Sequence, residues 1–156
     1  MTIQRDLRCL RQLPLFRDVD PQRLKLLAFA SERVHFEPGE TVCRQGEPGD
    51  AAYVILEGRA RVVHEGAEGP VEVATLGPND VVGEIAILCG VPRTATVVAE
   101  TPLETLRIDR DTFLATVRQF PEIALGIMRE LAVRLHETTR RLGTLVAECG
   151  ARSERP

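Results

Sequence analysis

Apolar residues follow three different patterns along the chain, and each pattern predicts a different kind of element. Before residue 32 the large apolar residues form two clusters with helical spacing: Leu7, Leu10, Leu13, Leu15 and Phe16, then Leu24, Leu26, Leu27 and Phe29. Pro14 and the pair Asp20-Pro21 interrupt these clusters, so we expect two short helices. Asp20 is expected to cap the second helix and Pro21 to be its first residue, because a proline there lacks an N–H group that would have no partner inside the helix.

Residues 32–109 show the second pattern, in which short β-branched runs are separated by glycine, proline, asparagine and aspartate. Turn-forming groups recur at 37–40, 46–50, 65–70 and 77–80. Such regular punctuation is typical of a many-stranded antiparallel structure. The predicted strands are 41–45, 52–56, 60–64, 71–76, 94–99 and 103–108, and a jelly-roll-like double-stranded β-helix, here called the β-roll, accommodates them.

After Asp109 the chain becomes helical, with a short helix at 111–117 and a long helix that begins near Pro121. An apolar residue recurs every four positions at Ile123, Ile127, Leu131 and Leu135, and the stripe continues to Leu142 and Leu145 after a shift. We expect the first four residues of the stripe, Ile123 to Leu135, to pack against the roll. The other face carries charges of both signs that we interpret as solvated, namely Arg129, Glu130, Arg134, Glu137, Arg140 and Arg141.

These patterns predict an α+β, mainly β fold: an antiparallel β-roll flanked by N-terminal helices and a long C-terminal helix. The chain has no internal repeat and no low-complexity linker, so we expect one domain over residues 1–156. The β-roll should cover about 32–109 and the C-terminal helices about 110–148, with a frayed polar tail at 150–156. A chain of 156 residues can bury a sufficient core without disulfides or metal.

Charge and composition exclude several function classes. The net charge of −3 and the pI near 5.7 argue against binding of a nucleic-acid backbone or an anionic membrane. No run of eighteen apolar residues and no signal-peptide core occur, so we expect a cytoplasmic protein. The four cysteines form no Cys-x-x-Cys pair and are expected to be reduced thiols. His35, His64 and His136 lack metal-ligand spacing, so we predict no metal site and no metalloenzyme.

The candidate chemistry lies at residues 83–97, between two β-rich runs. Gly83 permits close backbone approach, and residues 85–88 are long enough for one helical turn whose free N–H groups favour a phosphate. Arg93 adds a forked, permanently charged donor that suits two phosphate oxygens. Thr94 and the backbone at Ala95 can add further donors.

Glu84 differs from these groups, because a carboxylate repels phosphate but accepts a hydrogen bond from a sugar hydroxyl. The stretch therefore predicts a site for a phosphate joined to a ribose. Taken alone, Glu84 and Arg93 would more simply form a buried ion pair, and Cys89 is expected to be a small apolar filler. The residues around the two charges favour the ligand interpretation.

The segment Gly-Glu-Ile-Ala-Ile at 83–87, followed by Arg-Thr-Ala at 93–95, resembles the phosphate-binding cassette of the cyclic nucleotide-binding domain family. The turns at 38–40 and 46–50 and the run at 53–58 resemble the glycine-marked strand turns of the same family. The likeness covers about residues 12–140 and extends to the sensor domains of kinase regulatory subunits and catabolite activator proteins. It implies a non-enzymatic regulatory module that binds cyclic AMP or cyclic GMP and needs no other cofactor.

The resemblance also implies a role for individual residues. Glu84 would bind the ribose 2′-hydroxyl and Arg93 the cyclic phosphate, with cassette backbone contacts from Gly83, Ile85, Ala86 and Ala95. The apolar wall beside the base would consist of Val62, Val73 and Leu76. Thr94 occurs at its position in relatives that prefer either base, so the choice between cyclic AMP and cyclic GMP stays open. A lid residue is expected on the long C-terminal helix, at a position that the sequence does not fix.

The sequence leaves three functions open. The first is a cyclic nucleotide sensor whose C-terminal helix moves on binding and whose output an effector protein or a parallel homodimer reads. That dimer would form through the helix, where Leu142, Leu145 and Val146 lie beyond the roll. The second is a relative of catabolite-activator transcription regulators without their DNA-binding domain, since about a dozen residues follow Leu142 and direct DNA binding is not expected. The third is a family member whose pocket is non-functional and which acts as an interaction module.

Overall fold

A computed structural model describes residues 2–13, 16 and 19–153. Two of the residues used above, Pro14 and Leu15, lie outside the described residues. The helices are α1 (Thr2–Gln12), α2 (Pro21–Ala30), α3 (Glu84–Cys89), α4 (Arg110–Gln119) and α5 (Pro121–Ser153). The strands are β1 (Glu32–Phe36), β2 (Thr41–Cys43), β3 (Ala51–Glu57), β4 (Ala60–Gly66), β5 (Gly69–Leu76), β6 (Val81–Val82), β7 (Thr96–Ala99) and β8 (Leu103–Asp109).

The strands form two four-stranded antiparallel sheets, with the orders β1-β8-β3-β6 and β2-β7-β4-β5. This arrangement, with helices at the N-terminal side and a long C-terminal helix, confirms the predicted antiparallel β-roll. The predicted strands all occur with small shifts in their ends, while β1 and β6 were not predicted as separate strands. Asp20 caps α2 as expected, because its Oδ1 accepts from the Gln22 N–H at 3.0 Å.

Strand β3 separates two apolar cores, which explains why its sequence reads as one continuous apolar run. Ala52 and Val54 face the core beneath the helices, whereas Tyr53 and Ile55 face the core inside the roll. Successive side chains of a strand point to opposite faces, so a strand covered on both sides has no polar face. Complete burial of Ile55 alone contributes about 1.5–3 kcal/mol.

Helix α5 leaves the core partway along its length. Ile123 and Ile127 are buried and Leu131 packs against the same core, which confirms the first half of the predicted stripe. Leu135 is 67% exposed, so its predicted packing against the roll is wrong. The prediction of a frayed segment from residue 150 is also wrong up to Ser153, because α5 continues to that residue. Among the described helices, none is long and apolar enough to cross a membrane.

Candidate functional site

The turn at Gly83 places the candidate cassette at the mouth of the roll. Gly83 has φ +87° and directly precedes α3, and no side chain caps the first N–H groups of that helix. A Cβ atom at this position would collide with Arg93 Nη1. Glycine is therefore required at position 83 for two reasons: it adopts the left-handed backbone conformation, and it leaves space for the Arg93 guanidinium.

Arg93 is the buried cation of the site, with 4% of its surface exposed. Its Nη1 donates to the Gly83 carbonyl oxygen at 3.0 Å, and its Nη2 donates to the Ala51 carbonyl oxygen at 2.6 Å. Nη2 also lies 3.2 Å from Asp50 Oδ1. Two carbonyls thus fix the plane of the guanidinium, and Asp50 supplies its negative charge.

Asp50 is the one partner of Arg93 that can leave at little cost. Its side chain is 71% exposed, and its Oδ2 also lies 3.6 Å from Arg107 Nη2. Because Asp50 is largely exposed, water can solvate its carboxylate when another anion takes its place on Arg93, and the buried guanidinium then stays paired. An incoming anion could therefore replace the Asp50 carboxylate on Arg93 without disturbing the two carbonyl contacts.

Glu84 is the buried carboxylate, and it is not paired with Arg93. Its side chain is 6% exposed, and its Oε1 accepts from Arg134 Nη1 of α5 at 3.2 Å. Burial raises the pKa of Glu84, although the nearby Arg134 counteracts the rise. The same guanidinium also lies 2.9 Å from Glu130 Oε1 and 3.5 Å from Asp80 Oδ1 through Nη2.

The structure brings the predicted site residues together around one opening. A cavity of about 100 Å³ is lined by Cys43, Val62, Leu76, Val81, Val82, Gly83, Glu84, Ile85, Ala86, Arg93, Thr94, Ala95, Val97 and Arg134. Nine of the ten predicted ligand residues are in this set, and the tenth, Val73, lines the neighbouring groove. Glu84 and Arg93 therefore share one cavity while each binds a different partner.

The neighbouring groove has a volume of about 920 Å³ and runs between the β4–β5 hairpin and α5. Val62, Leu76 and Arg134 line both spaces, so the small cavity opens into the groove. Pockets for small ligands usually measure about 300–1,000 Å³. The small cavity matches only the charged end of a nucleotide, and a base would have to extend into the groove.

Metal binding has no support among the described residues, because no group of three or more His, Cys, Asp or Glu side chains is placed to hold an ion. Cys89 is exposed rather than packed, so its interpretation as an apolar filler is wrong. None of the four cysteines forms a disulfide.

The chain matches the family model described as the cyclic nucleotide-binding domain over residues 33–120. It belongs to the cyclic nucleotide-binding domain family. Among curated proteins it is 32% identical over 133 residues to a CRP-like cAMP-activated global transcriptional regulator of Mycobacterium tuberculosis. That match covers 85% of this chain and 59% of the relative, so the chain spans less than two thirds of the relative's length.

Two solved structures show the same relationship. The catabolite activator protein of Thermus thermophilus is 30% identical with a TM-score of 0.75, over 85% of this chain and 63% of that one. The regulatory subunit of a cAMP-independent protein kinase A from Trypanosoma brucei is 29% identical with a TM-score of 0.73, over 83% of this chain and 48% of that one. The resemblance to regulators and kinase regulatory subunits predicted from the cassette is confirmed.

Sequence reasoning missed the part of the site that α5 contributes. Arg134 was interpreted as part of a solvated face, but its side chain is 33% exposed and contacts three carboxylates. Thr138, one helical turn further on, lines the large groove. The spacing of four residues between Arg134 and Thr138 was a usable signal, since it places both side chains on one face of a helix.

Proposed function

We propose that this chain is a cyclic nucleotide sensor that binds cyclic AMP at the Glu84–Arg93 cavity and transmits the binding to α5. The observation that supports this most is the separation of the two charges. Glu84 and Arg93 line one cavity of about 100 Å³, yet Glu84 binds Arg134 while Arg93 binds Asp50 and two carbonyls. A pair that satisfied itself would leave no space for a ring between the two side chains.

The cyclic phosphate would bind Arg93 in place of Asp50, beside backbone groups of the cassette residues Gly83, Ile85, Ala86 and Ala95. The ribose 2′-hydroxyl would donate to Glu84. The base would extend into the larger groove, against Val62, Val73 and Leu76 and within reach of Thr94 and Thr138, which line the two spaces. This assignment accounts for a small charged cavity that opens into a larger, partly apolar one.

The output of the sensor would be a change at α5, because Arg134 connects the sugar-binding carboxylate to this helix. A ligand shifts a conformational equilibrium only by binding one state more tightly than the other. A ribose hydroxyl bound to Glu84 would compete with Arg134 for the same carboxylate. Ribose binding would therefore weaken the contact of Arg134 with Glu84 and favour a different position of α5. An effector protein or a second copy of the chain would read that position.

The remaining parts of the proposal follow from the family. The curated relative is named as cAMP-activated, which favours cyclic AMP over cyclic GMP as the ligand. We propose that residues 1–156 act as one non-enzymatic, cytoplasmic signalling domain, with no metal or other cofactor. Its homodimer would form through the exposed part of α5, and we propose no direct DNA contact by residues 1–156.

Titration of the purified protein with cyclic AMP and cyclic GMP side by side, by calorimetry and by thermal unfolding, tests the proposal. Saturation at about 100 times the dissociation constant should stabilise the fold by about 2.7 kcal/mol, which corresponds to a rise in Tm of about 5–10 °C. Arg93→Ala should weaken binding by about 3–5 kcal/mol. Arg129→Ala removes an exposed arginine and should bind as the wild type does. Absence of binding by either nucleotide at millimolar concentration would refute the proposal.

A second candidate function is a ligand-independent interaction module. Two observations favour it: a relative that is 29% identical is named as cAMP-independent, and the Arg93 guanidinium already has three oxygen partners within the chain. The same titration distinguishes the two functions, because a ligand-independent module shows neither heat of binding nor a shift in Tm.

A further inference from the structure

The side chain of Gln45 binds the tip of the β4–β5 hairpin as a second strand would. Its Oε1 accepts from the Glu65 backbone N–H at 2.8 Å, and its Nε2 donates to the Glu65 carbonyl oxygen at 3.0 Å. One amide thus satisfies both backbone groups of a single residue, twenty positions away in the chain. Gln45 is half-buried, and its own N–H donates to Thr96 Oγ1 at 3.0 Å, so the start of β7 fixes its backbone.

The two residues after Gln45 bind the backbone of Arg93. The Gly46 N–H donates to the Arg93 carbonyl oxygen at 2.9 Å, and the Arg93 N–H donates to the Glu47 carbonyl oxygen at 2.8 Å. The segment 45–47 therefore contacts the cassette through its backbone and the hairpin through one side chain. A movement of Arg93 towards a bound anion would displace this segment and, with it, the tip of the hairpin.

The hairpin held in this way is one wall of the large groove. Val62 on β4 and Val73 on β5 line that groove, and a bulge between Val62 and Val63 lies three residues before Glu65. His64 Nδ1 also lies 3.4 Å from the Thr94 carbonyl oxygen. On its outer side the hairpin has no neighbouring strand, because β5 is an edge strand with exposed Val71 and Val73.

We infer that Gln45 is a positioning residue that couples the phosphate-binding arginine to the wall of the groove that faces the base. This inference rests on the proposed function for the identity of the ligand and goes beyond it by naming the connection between the two ends of the site. Gln45 lines neither the small cavity nor the large groove. It acts through Glu65 on the hairpin and through Gly46 and Glu47 on Arg93.

The direct test is hydrogen exchange of the Glu65 amide, which needs no ligand. Gln45→Ala and Gln45→Met should each expose this amide and accelerate its exchange by about tenfold or more, since two hydrogen bonds are lost. Gln45→Met keeps the bulk of the side chain and removes its polar atoms, so it separates hydrogen bonding from packing. Gln119→Ala, at the exposed end of α4, is the matched control and should leave the exchange unchanged.

Binding provides the second measurement. The affinity of Gln45→Ala for cyclic AMP should fall about three- to tenfold, and the preference between cyclic AMP and cyclic GMP should shrink, because the base faces a looser wall. In the wild type, cyclic AMP should slow exchange in residues 60–76, and this protection should be lost in both Gln45 variants.

The outcomes separate the two proposals. A wild type that binds neither nucleotide refutes the proposed function and, with it, the coupling to the base. A wild type that binds cyclic AMP, with Gln45→Ala showing the same affinity, base preference and Glu65 exchange, overturns the role of Gln45 alone. The role of Gln45 would also be overturned if Gln45→Ala changed the affinity, the base preference and the Glu65 exchange while Gln45→Met left them as in the wild type. The bulk of the side chain, and not its amide, would then carry the coupling.

Discussion

Arg134 Nη1 lies 3.2 Å from Glu84 Oε1, so the long C-terminal helix directly contacts the carboxylate inside the candidate site. Asp80 and Glu130 bind the same guanidinium, which gives three carboxylates around one cation. Burial raises the pKa of Glu130 as it does that of Glu84. The position of α5 and the charge state of the cavity are therefore physically linked before any ligand arrives.

Replacement of Arg134 by methionine should destabilise the protein, because three carboxylates would lose their shared cation while the apolar stem is retained. We expect a loss of about 1–3 kcal/mol in the free energy of unfolding, the range for hydrogen bonds to charged groups, reduced by solvent screening at a side chain that is one-third exposed. Urea denaturation at pH 7 measures it. Arg140→Met, at an exposed position of the same helix, should change stability by less than about 0.5 kcal/mol. Equal effects of the two substitutions would contradict the linkage.

Glu84→Gln should make the protein more stable at neutral pH. Burial is the largest influence on Glu84 and raises its pKa, so the folded state holds a proton more tightly than the unfolded state does. Because the pKa of Glu84 is higher in the folded state, protonated Glu84 contributes to stability at pH values below its unfolded-state pKa of about 4.3. This contribution is lost as the pH rises through the folded-state pKa. The amide of the Glu84→Gln variant is neutral at every pH, so the variant does not lose stability through ionisation at this position. The advantage of Glu84→Gln over the wild type in urea denaturation should therefore shrink as the pH is lowered towards 4, and a constant difference from pH 7 to pH 4 would be inconsistent with this account.

Gly83→Ala should be more damaging than Gly90→Ala, although both glycines flank α3 and have positive φ angles of +87° and +65°. Each alanine costs about 1–2 kcal/mol for the left-handed backbone. At Gly90 the added Cβ meets nothing within 4 Å, whereas at Gly83 it collides with the Arg93 guanidinium. We expect Gly83→Ala to lose about 3 kcal/mol or more in the free energy of unfolding, together with cyclic AMP binding. Similar losses for the two variants would show that backbone strain alone matters at Gly83.

The fold was predictable because its signals are local. Strand β3 stands out as an apolar run between turn residues, and Asp20 and Pro21 form a helix start that no distant contact alters. Strand β6 was missed because Val81–Val82 contains two residues, too few for any periodicity. The cassette was found for the same reason as the strands, since Glu84 and Arg93 are nine residues apart in one continuous motif.

The wrong or missed predictions concern features that depend on an angular offset adding up along a helix or on partners that are distant in the sequence. A repeat of four residues exceeds the 3.6-residue turn by about 40° per step, so Leu135 lies about 120° around the helix from Ile123 and no longer faces the core. Arg134 resembles any exposed helix charge until the fold places Asp80 and Glu84 beside it. The role of Gln45 could not be predicted for a similar reason. Its partner is the backbone of Glu65, and backbone groups do not differ from one residue to the next in a way that the sequence shows.

The exposed part of α5 provides the last prediction, which concerns the proposed homodimer. Seven large apolar residues on this helix are exposed, Val133 and Leu145 among them, and the other five share one row: Leu125, Met128, Leu135, Leu142 and Val146. With Ala132, Thr139 and Cys149 they recur at alternating intervals of three and four residues, which is the spacing of a two-stranded coiled coil. Such a row of apolar side chains is expected to be covered by a partner of the same pattern.

Leu142→Glu should therefore convert a dimer of twice 17.2 kDa into a monomer at micromolar concentration, because a carboxylate at the centre of the helix pair would be buried without a partner. Light scattering after size exclusion measures the mass, and Ala147→Glu, outside the repeat, should leave the dimer intact. Mild oxidation should join the two chains through Cys149 if the helices are parallel and in register, since this residue then lies opposite its own copy, and Cys149→Ser should prevent the link. A wild type that remains monomeric at high micromolar concentration, or that dimerises equally well with Leu142→Glu, would mean that the exposed stripe of α5 serves a different partner.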